Sequence, residues 1–215
     1  MQRFYIMKKR ILRLIKRSCY RPVAAAELIL LKVLFRKQRC AHTQKVVLMQ
    51  NSHRGDFVLS LELFRRLKRQ LDCPLVLIGD WRIREAAAAS GIFDEFVGVD
   101  MKRAGSYRHL FCRWRTFGRL RKISGSKFVQ CYGAGATSFD DCAALAVNAP
   151  EKYIFVDSFY NVQRSGTFYE ALRTRFFTHT LPYRRELTLL ENENNFADFI
   201  TGKSAFSNVD EPAKV

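Results

Sequence analysis

The spacing of apolar positions changes character along the chain. Between Phe4 and Arg17 it is helical: Phe4, Met7, Ile11, Leu14 and Ile15 gather on one face, with Lys9, Arg10, Arg13, Lys16 and Arg17 opposite. Pro22 lacks a backbone donor and breaks that helix, and a second, more apolar helix is predicted over 23–36. From Lys45 onward short apolar runs alternate with amphipathic stretches, as in a βαβ chain. The pattern predicts strands at 45–50, 75–78, 96–99, 127–132 and 153–156. Helices are predicted at 57–70, 81–90, 107–123 and 139–147, with Phe57, Leu61, Phe64 and Leu67 turned inward in the first of them and Gly91 as the C-cap of the second. The stretch 167–200 reads as helical with an interruption near Pro182, and the residues after Gly202 read as frayed.

The expected architecture is an α/β Rossmann-like open parallel sheet with helices on both faces. It divides as a basic helical extension (1–43), a Rossmann-like domain (44–202) and a tail (203–215). In such sheets ligands bind beyond the carboxyl ends of the strands, which directs attention to the loops 51–56, 100–106 and 133–138.

Charge sharpens this picture. The 215 residues carry 37 Lys and Arg against 20 Asp and Glu, a formal net of +17. Residues 1–40 hold twelve of the cations and one acid, Glu27, and no acid lies between Asp100 and Asp140. The partner is therefore expected to be anionic: a membrane surface, a phosphorylated glycolipid or a nucleic acid. The run 23–35 is interrupted by Glu27 and Lys32 and is shorter than the roughly 20 residues that cross a bilayer, so the chain is expected to lie on a membrane. A helix packed on the domain with a solvated basic face is the alternative. Residues 1–21 are basic throughout and do not read as a signal peptide. The six cysteines are scattered without a Cys-x-x-Cys pair, which argues against a disulfide scaffold or a zinc site.

The loop Gln50-Asn51-Ser52-His53-Arg54-Gly55-Asp56 carries the most chemistry. Gly55 permits a positive φ or a close backbone approach. Asp56 opens the following helix, either as its N-cap or as a carboxylate at the mouth of the sheet, positioned to take a proton from a substrate hydroxyl. Arg54 suits a phosphate or a neighbouring carboxylate, and His53 adjoins it. The loop Gly133-Ala134-Gly135-Ala136 follows a strand but lacks the third glycine of a dinucleotide fingerprint. Asp140 and Asp141 are adjacent and point to different sides of a helix, so they do not form a metal-holding pair.

This order of elements resembles the lipopolysaccharide heptosyltransferases of glycosyltransferase family 9. The resemblance rests on the apolar strand at Val46 and the Gly55-Asp56 loop ending. It continues through Gly91-Ile92-Phe93-Asp94-Glu95-Phe96-Val97, the strand Phe128-Val129-Gln130-Cys131-Tyr132-Gly133, and Leu181-Pro182-Tyr183-Arg184-Arg185-Glu186-Leu187, which lacks the family's His. It spans residues 45–190. It implies the N-terminal half of a GT-B fold, in which this half receives the acceptor and a C-terminal domain binds the nucleotide-sugar donor. It further implies Asp56 as general base and Lys102 and Arg103 as ligands of acceptor phosphates, with His53, Arg54, Gly55 and Gly133 completing the acceptor side.

The chemistry so implied is metal-independent inverting glycosyl transfer with no resident cofactor, the nucleotide sugar serving as co-substrate. The expected partners are a phosphorylated glycolipid, an anionic membrane surface and a separate donor-binding domain or chain, at the cytoplasmic face of a bacterial inner membrane. No second Rossmann pattern follows residue 200, so a fragment, a split enzyme and an inactive relic all stay open. A basic module binding membrane or nucleic acid without catalysis is the competing reading. Against its nucleic-acid form, the sequence has no RNP-like motif, Gly-x-x-Gly clamp or Cys/His finger.

Overall fold

The computed structural model describes residues 22–35, 43–51, 54–131, 137–156, 159–184 and 186–203, with the side chains of 159–167 left out. The basic helix expected over 4–18 and the tail beyond 203 lie outside the described residues.

The core is a six-stranded sheet, parallel throughout, in the order β3-β2-β1-β4-β5-β6. Its strands are β1 (Val46–Gln50), β2 (Leu75–Asp80), β3 (Glu95–Val99), β4 (Lys127–Gln130), β5 (Glu151–Val156) and β6 (His179–Pro182). This is the doubly wound order, whose direction of winding reverses between β1 and β4. The central strands are continuous apolar runs because both faces are covered. Alternate residues divide between the two faces: Val47 and Met49 enter one core, Val46 and Leu48 the other.

A helix at 22–34 (α1) shares the first face with α5 (Met101–Ala104), α6 (Leu110–Leu120), α7 (Ser138–Ala146) and α8 (Phe159–Phe176). The other face is covered by α2 (Arg54–Leu59), α3 (Leu61–Leu71), α4 (Arg84–Ser90) and α9 (Leu189–Thr201). Gly91 takes φ 65° at the end of α4, the predicted cap.

The structure corrects the sequence reading in two places. The helix expected over 57–70 starts earlier, at Arg54, and is interrupted at Ser60, so two helices stand where one was predicted. The stretch expected to be helical over 167–200 contains the edge strand β6. Pro182 is tolerated there because it ends an outermost strand. The last helix then starts behind Thr188, whose side chain forms a capping box with Glu191.

Charged residues inside the fold tie its elements together. Glu27 of α1 is buried against Arg113 of α6, with guanidinium–carboxylate distances of 2.6 and 2.5 Å, and Tyr107 donates to the same carboxylate at 2.9 Å. Arg113 also donates to the carbonyl of Ala104. This arginine, one of the cations in the acid-free stretch between Asp100 and Asp140, is fully buried. Arg173 of α8 joins Asp141 and Glu170 in a second buried network. Asp140 and Asp141 do point apart, as expected: the first faces Thr137 and Asn51, the second Tyr169 and Arg173. Lys152 donates to the last carbonyls of α7 (Ala144 and Val147), and Lys32 to Phe176 at the end of α8. Both cations sit where helix dipoles favour them. Cys131 and Cys142 are buried free thiols, behaving as small apolar residues.

Candidate functional site

The carboxyl ends of β1, β2 and β3 deliver three chain segments to one edge of the molecule. After β2, Asp80 caps a single 3-10 turn, Trp81–Ile83, by accepting from the Arg82 backbone at 2.9 Å. The Arg82 guanidinium folds back on the same carboxylate at 2.7 and 3.0 Å. Burial disfavours the ionised form of Asp80, but the hydrogen bonds from Arg82 outweigh it and hold this carboxyl below its usual range. After β3, Asp100 caps α5 by accepting from the Arg103 backbone at 3.0 Å. Lys102 and Arg103 thereby project from a helical turn at the strand's end, both exposed.

These two segments enclose a pocket of about 530 Å³ lined by Asp80, Trp81, Arg82, Asp100, Lys102, Arg103 and His109. Its two acids are each engaged with an arginine of the same wall. Lys102 has no ion pair among the described residues. The lining thus offers guanidinium, ammonium and imidazole groups beside the exposed face of Trp81, an arrangement suited to a phosphorylated sugar.

The segment after β1 packs against the turn that forms one wall of this pocket. Arg54 donates from Nε to the carbonyl oxygen of Arg82 at 3.1 Å, so α2 begins against the Trp81–Ile83 turn. Asp56 lies in the first turn of α2 and is not its cap, since the helix already starts at Arg54. Its side chain makes no hydrogen bond or ion pair among the described residues, which leaves the half-exposed carboxylate available. The next residue, Phe57, is fully buried against Phe64 and Phe93 and anchors the helix beneath it. Gly55 does not have the positive φ that the sequence allowed, and a Cβ there would meet nothing within 4 Å. His53 and Gly133 lie outside the described residues.

A second set of groups sits where the sheet reverses its winding. Asn51, just past β1, donates to Asp140 at 2.7 Å, and Asp140 also accepts from the Thr137 backbone and hydroxyl at 2.5 and 2.9 Å. Burial raises the Asp140 carboxyl to about 6 despite these hydrogen bonds. Beneath them the break at Ser60 is explained: its hydroxyl donates to the buried Glu193 of α9 at 2.8 Å. Burial pushes Glu193 up to about 7.

The structure places Lys102 and Arg103 in the lining of this pocket and Arg54 beside it, bonded to the backbone of Arg82. It adds Asp80, Trp81, Arg82 and His109. Asp80-Trp81-Arg82 at a strand's end was the readable signal, an Asp placed to cap the turn that follows. Among the described residues, no group of three or more His, Cys, Asp or Glu is arranged to hold a metal ion.

With this geometry the fold has known counterparts. The structure of E. coli heptosyltransferase WaaC with ADP superposes with a TM-score of 0.57 at 11% identity, over 77% of this chain and 50% of that one. A glycosyltransferase of family 9 from Veillonella parvula gives a TM-score of 0.55 at 15% identity, over 80% and 46%. No family model and no curated protein matches the sequence. The described residues therefore form a Rossmann-like α/β unit. Its fold is like that of half of these heptosyltransferase and family 9 structures, and the chain spans about half the length of the structures it matches.

Proposed function

We propose that this chain is the acceptor-side half of an inverting sugar transferase that adds a sugar to a phosphorylated glycolipid of the lipopolysaccharide type. The observation that carries this reading is the gathering of Arg82, Lys102 and Arg103 in one pocket, with Arg54 bonded to the backbone of its Arg82 wall and Asp56, unpaired among the described residues, two positions further along the same helix. Lys102 and Arg103 hold acceptor phosphates, Arg82 and Arg54 set the opposite wall, and Trp81 offers an apolar face to a sugar ring. Asp56 takes the proton from the attacking hydroxyl. The acceptor oxygen bonds to the anomeric carbon as the nucleoside diphosphate leaves with the electrons of its bond to that carbon.

The chemistry is metal-independent in this reading. The donor binds to a second unit, either further residues of the same protein or a partner chain. The span of the match, half of each neighbour, supports that division. The acceptor's lipid places the enzyme at the cytoplasmic face of the inner membrane.

The test is a transfer assay on the protein isolated from its own cells together with any chain that accompanies it. The assay is supplied with nucleotide sugars and a phosphorylated glycolipid. Acceptor-dependent release of nucleoside diphosphate is expected, falling by about 10²–10⁴-fold in Asp56→Asn with glycolipid binding retained. Undiminished turnover in Asp56→Asn removes the general base from the account.

A further inference from the structure

Two neighbouring helices on the first face of the sheet present a surface that neither the sheet nor the pocket requires. The buried Glu27–Arg113 pair and the Arg121 guanidinium, 5.1 Å from the centre of the Phe35 ring, hold α1 and α6 side by side. Outside this seam, α1 exposes Val23, Ile29, Leu30, Val33 and Leu34, which fall at helical spacing along one stripe. The start of α6 exposes Leu110 and Phe111, the latter to 81%. Around these lie Arg108, Arg115, Arg119, Arg121 and Lys122, all exposed and without an ion pair among the described residues. The only acid on either helix is Glu27, and it is buried.

We infer that the joint outer face of α1 and α6 docks on an anionic lipid bilayer. Apolar side chains flanked by cations, with no exposed acid, match the acyl boundary and the phosphate layer of such a membrane. A protein partner would need exposed acids to pair with these cations and set its register, and neither helix exposes one. In this proposal α1 lies along the surface, and among the described residues no helix is long and apolar enough to cross a membrane. The face is continuous with the pocket through the chain itself: His109, in the pocket lining, immediately precedes Leu110 and Phe111. Docking brings the pocket mouth to headgroup level. That consequence rests on the acceptor reading; the docking itself does not.

The test uses the full chain and vesicles containing no glycolipid, so that its failure is separate from a failure of acceptor binding. Flotation with phosphatidylcholine vesicles, and with vesicles containing phosphatidylglycerol, measures the preference for anionic lipid. Binding to the anionic vesicles is expected. It should weaken at least about tenfold in Leu30→Ser/Val33→Ser/Phe111→Ser and in Arg115→Gln/Arg119→Gln/Lys122→Gln, with circular dichroism confirming an unchanged fold. A tryptophan placed by Val33→Trp should be quenched by brominated acyl chains, a readout that residues 1–21 cannot supply on their own. No preference for anionic vesicles, unchanged binding in either triple variant, or an unquenched Trp at position 33 overturns the inference.

Discussion

Arg54 Nε donates to the carbonyl oxygen of Arg82 across 3.1 Å, fastening the first turn after β1 to the turn after β2. This bond holds the helix that carries Asp56 against the wall of the cationic pocket. Each side chain also keeps charge for a ligand: Arg54 is exposed and Arg82 faces the pocket while bonded to Asp80. Arg54→Ala is expected to leave folding nearly unaffected and to weaken phosphorylated-glycolipid binding about tenfold, a loss of about 1.4 kcal/mol. Calorimetric titration checks it. A normal affinity removes Arg54 from the site.

Gly55 separates packing from ligand approach. Its Cβ position is open and its φ is ordinary, so Gly55→Ala is expected to keep or raise the melting temperature, since Ala gains about 1 kcal/mol in a helix. The added methyl group should nevertheless impair acceptor binding, because it stands one residue from Asp56. A variant with higher stability and full binding contradicts close approach at this point.

The buried Glu27–Arg113 pair makes a prediction about stability. Glu27→Ala strands a guanidinium inside the fold and is expected to cost about 3–5 kcal/mol. Replacing both partners (Glu27→Met/Arg113→Met) should recover most of that loss, because the desolvated charge is gone as well. Urea denaturation of the two variants measures the difference.

Glu193 links folding to pH. Its carboxyl rises from 4.5 to about 7 in the fold, so the folded state prefers the protonated form. The stability this group contributes is fully present below pH 4.5 and is lost as pH rises through about 7. Glu193→Gln keeps a neutral partner for Ser60 and removes the titration. Its melting temperature should exceed the wild type's by several degrees at pH 8, with little difference at pH 4.5. An equal gain at both pH values contradicts the shift.

The interior strands were legible because each is an unbroken apolar run, the pattern that a parallel strand covered on both faces requires. Strand β6 was not: it has four residues, includes His179 and Pro182, and gains its place only by pairing with β5. The rule that ligands bind at strand ends drew attention to the loop 100–106, and the family resemblance pointed to Lys102 and Arg103 within it; both line the pocket. Arg82 was missed because Trp81 and Ile83 continue the apolar spacing of α4 and hide the turn that aims it. The Ser60–Glu193 bond joins residues 133 apart in sequence, and no local pattern announces it. Arg113 looked like one more cation on a basic helix, since its buried partner comes from α1.

The most direct test of the account is the affinity of the chain for one glycolipid in two states, with its phosphates intact and enzymatically removed, presented in neutral detergent micelles. Saturable binding that depends on the phosphates is expected, falling at least about tenfold in both Lys102→Ala and Arg103→Ala, each contact being charge-assisted. Equal affinity for the two glycolipids, or binding indifferent to both substitutions, contradicts the assignment of this pocket to a phosphorylated acceptor.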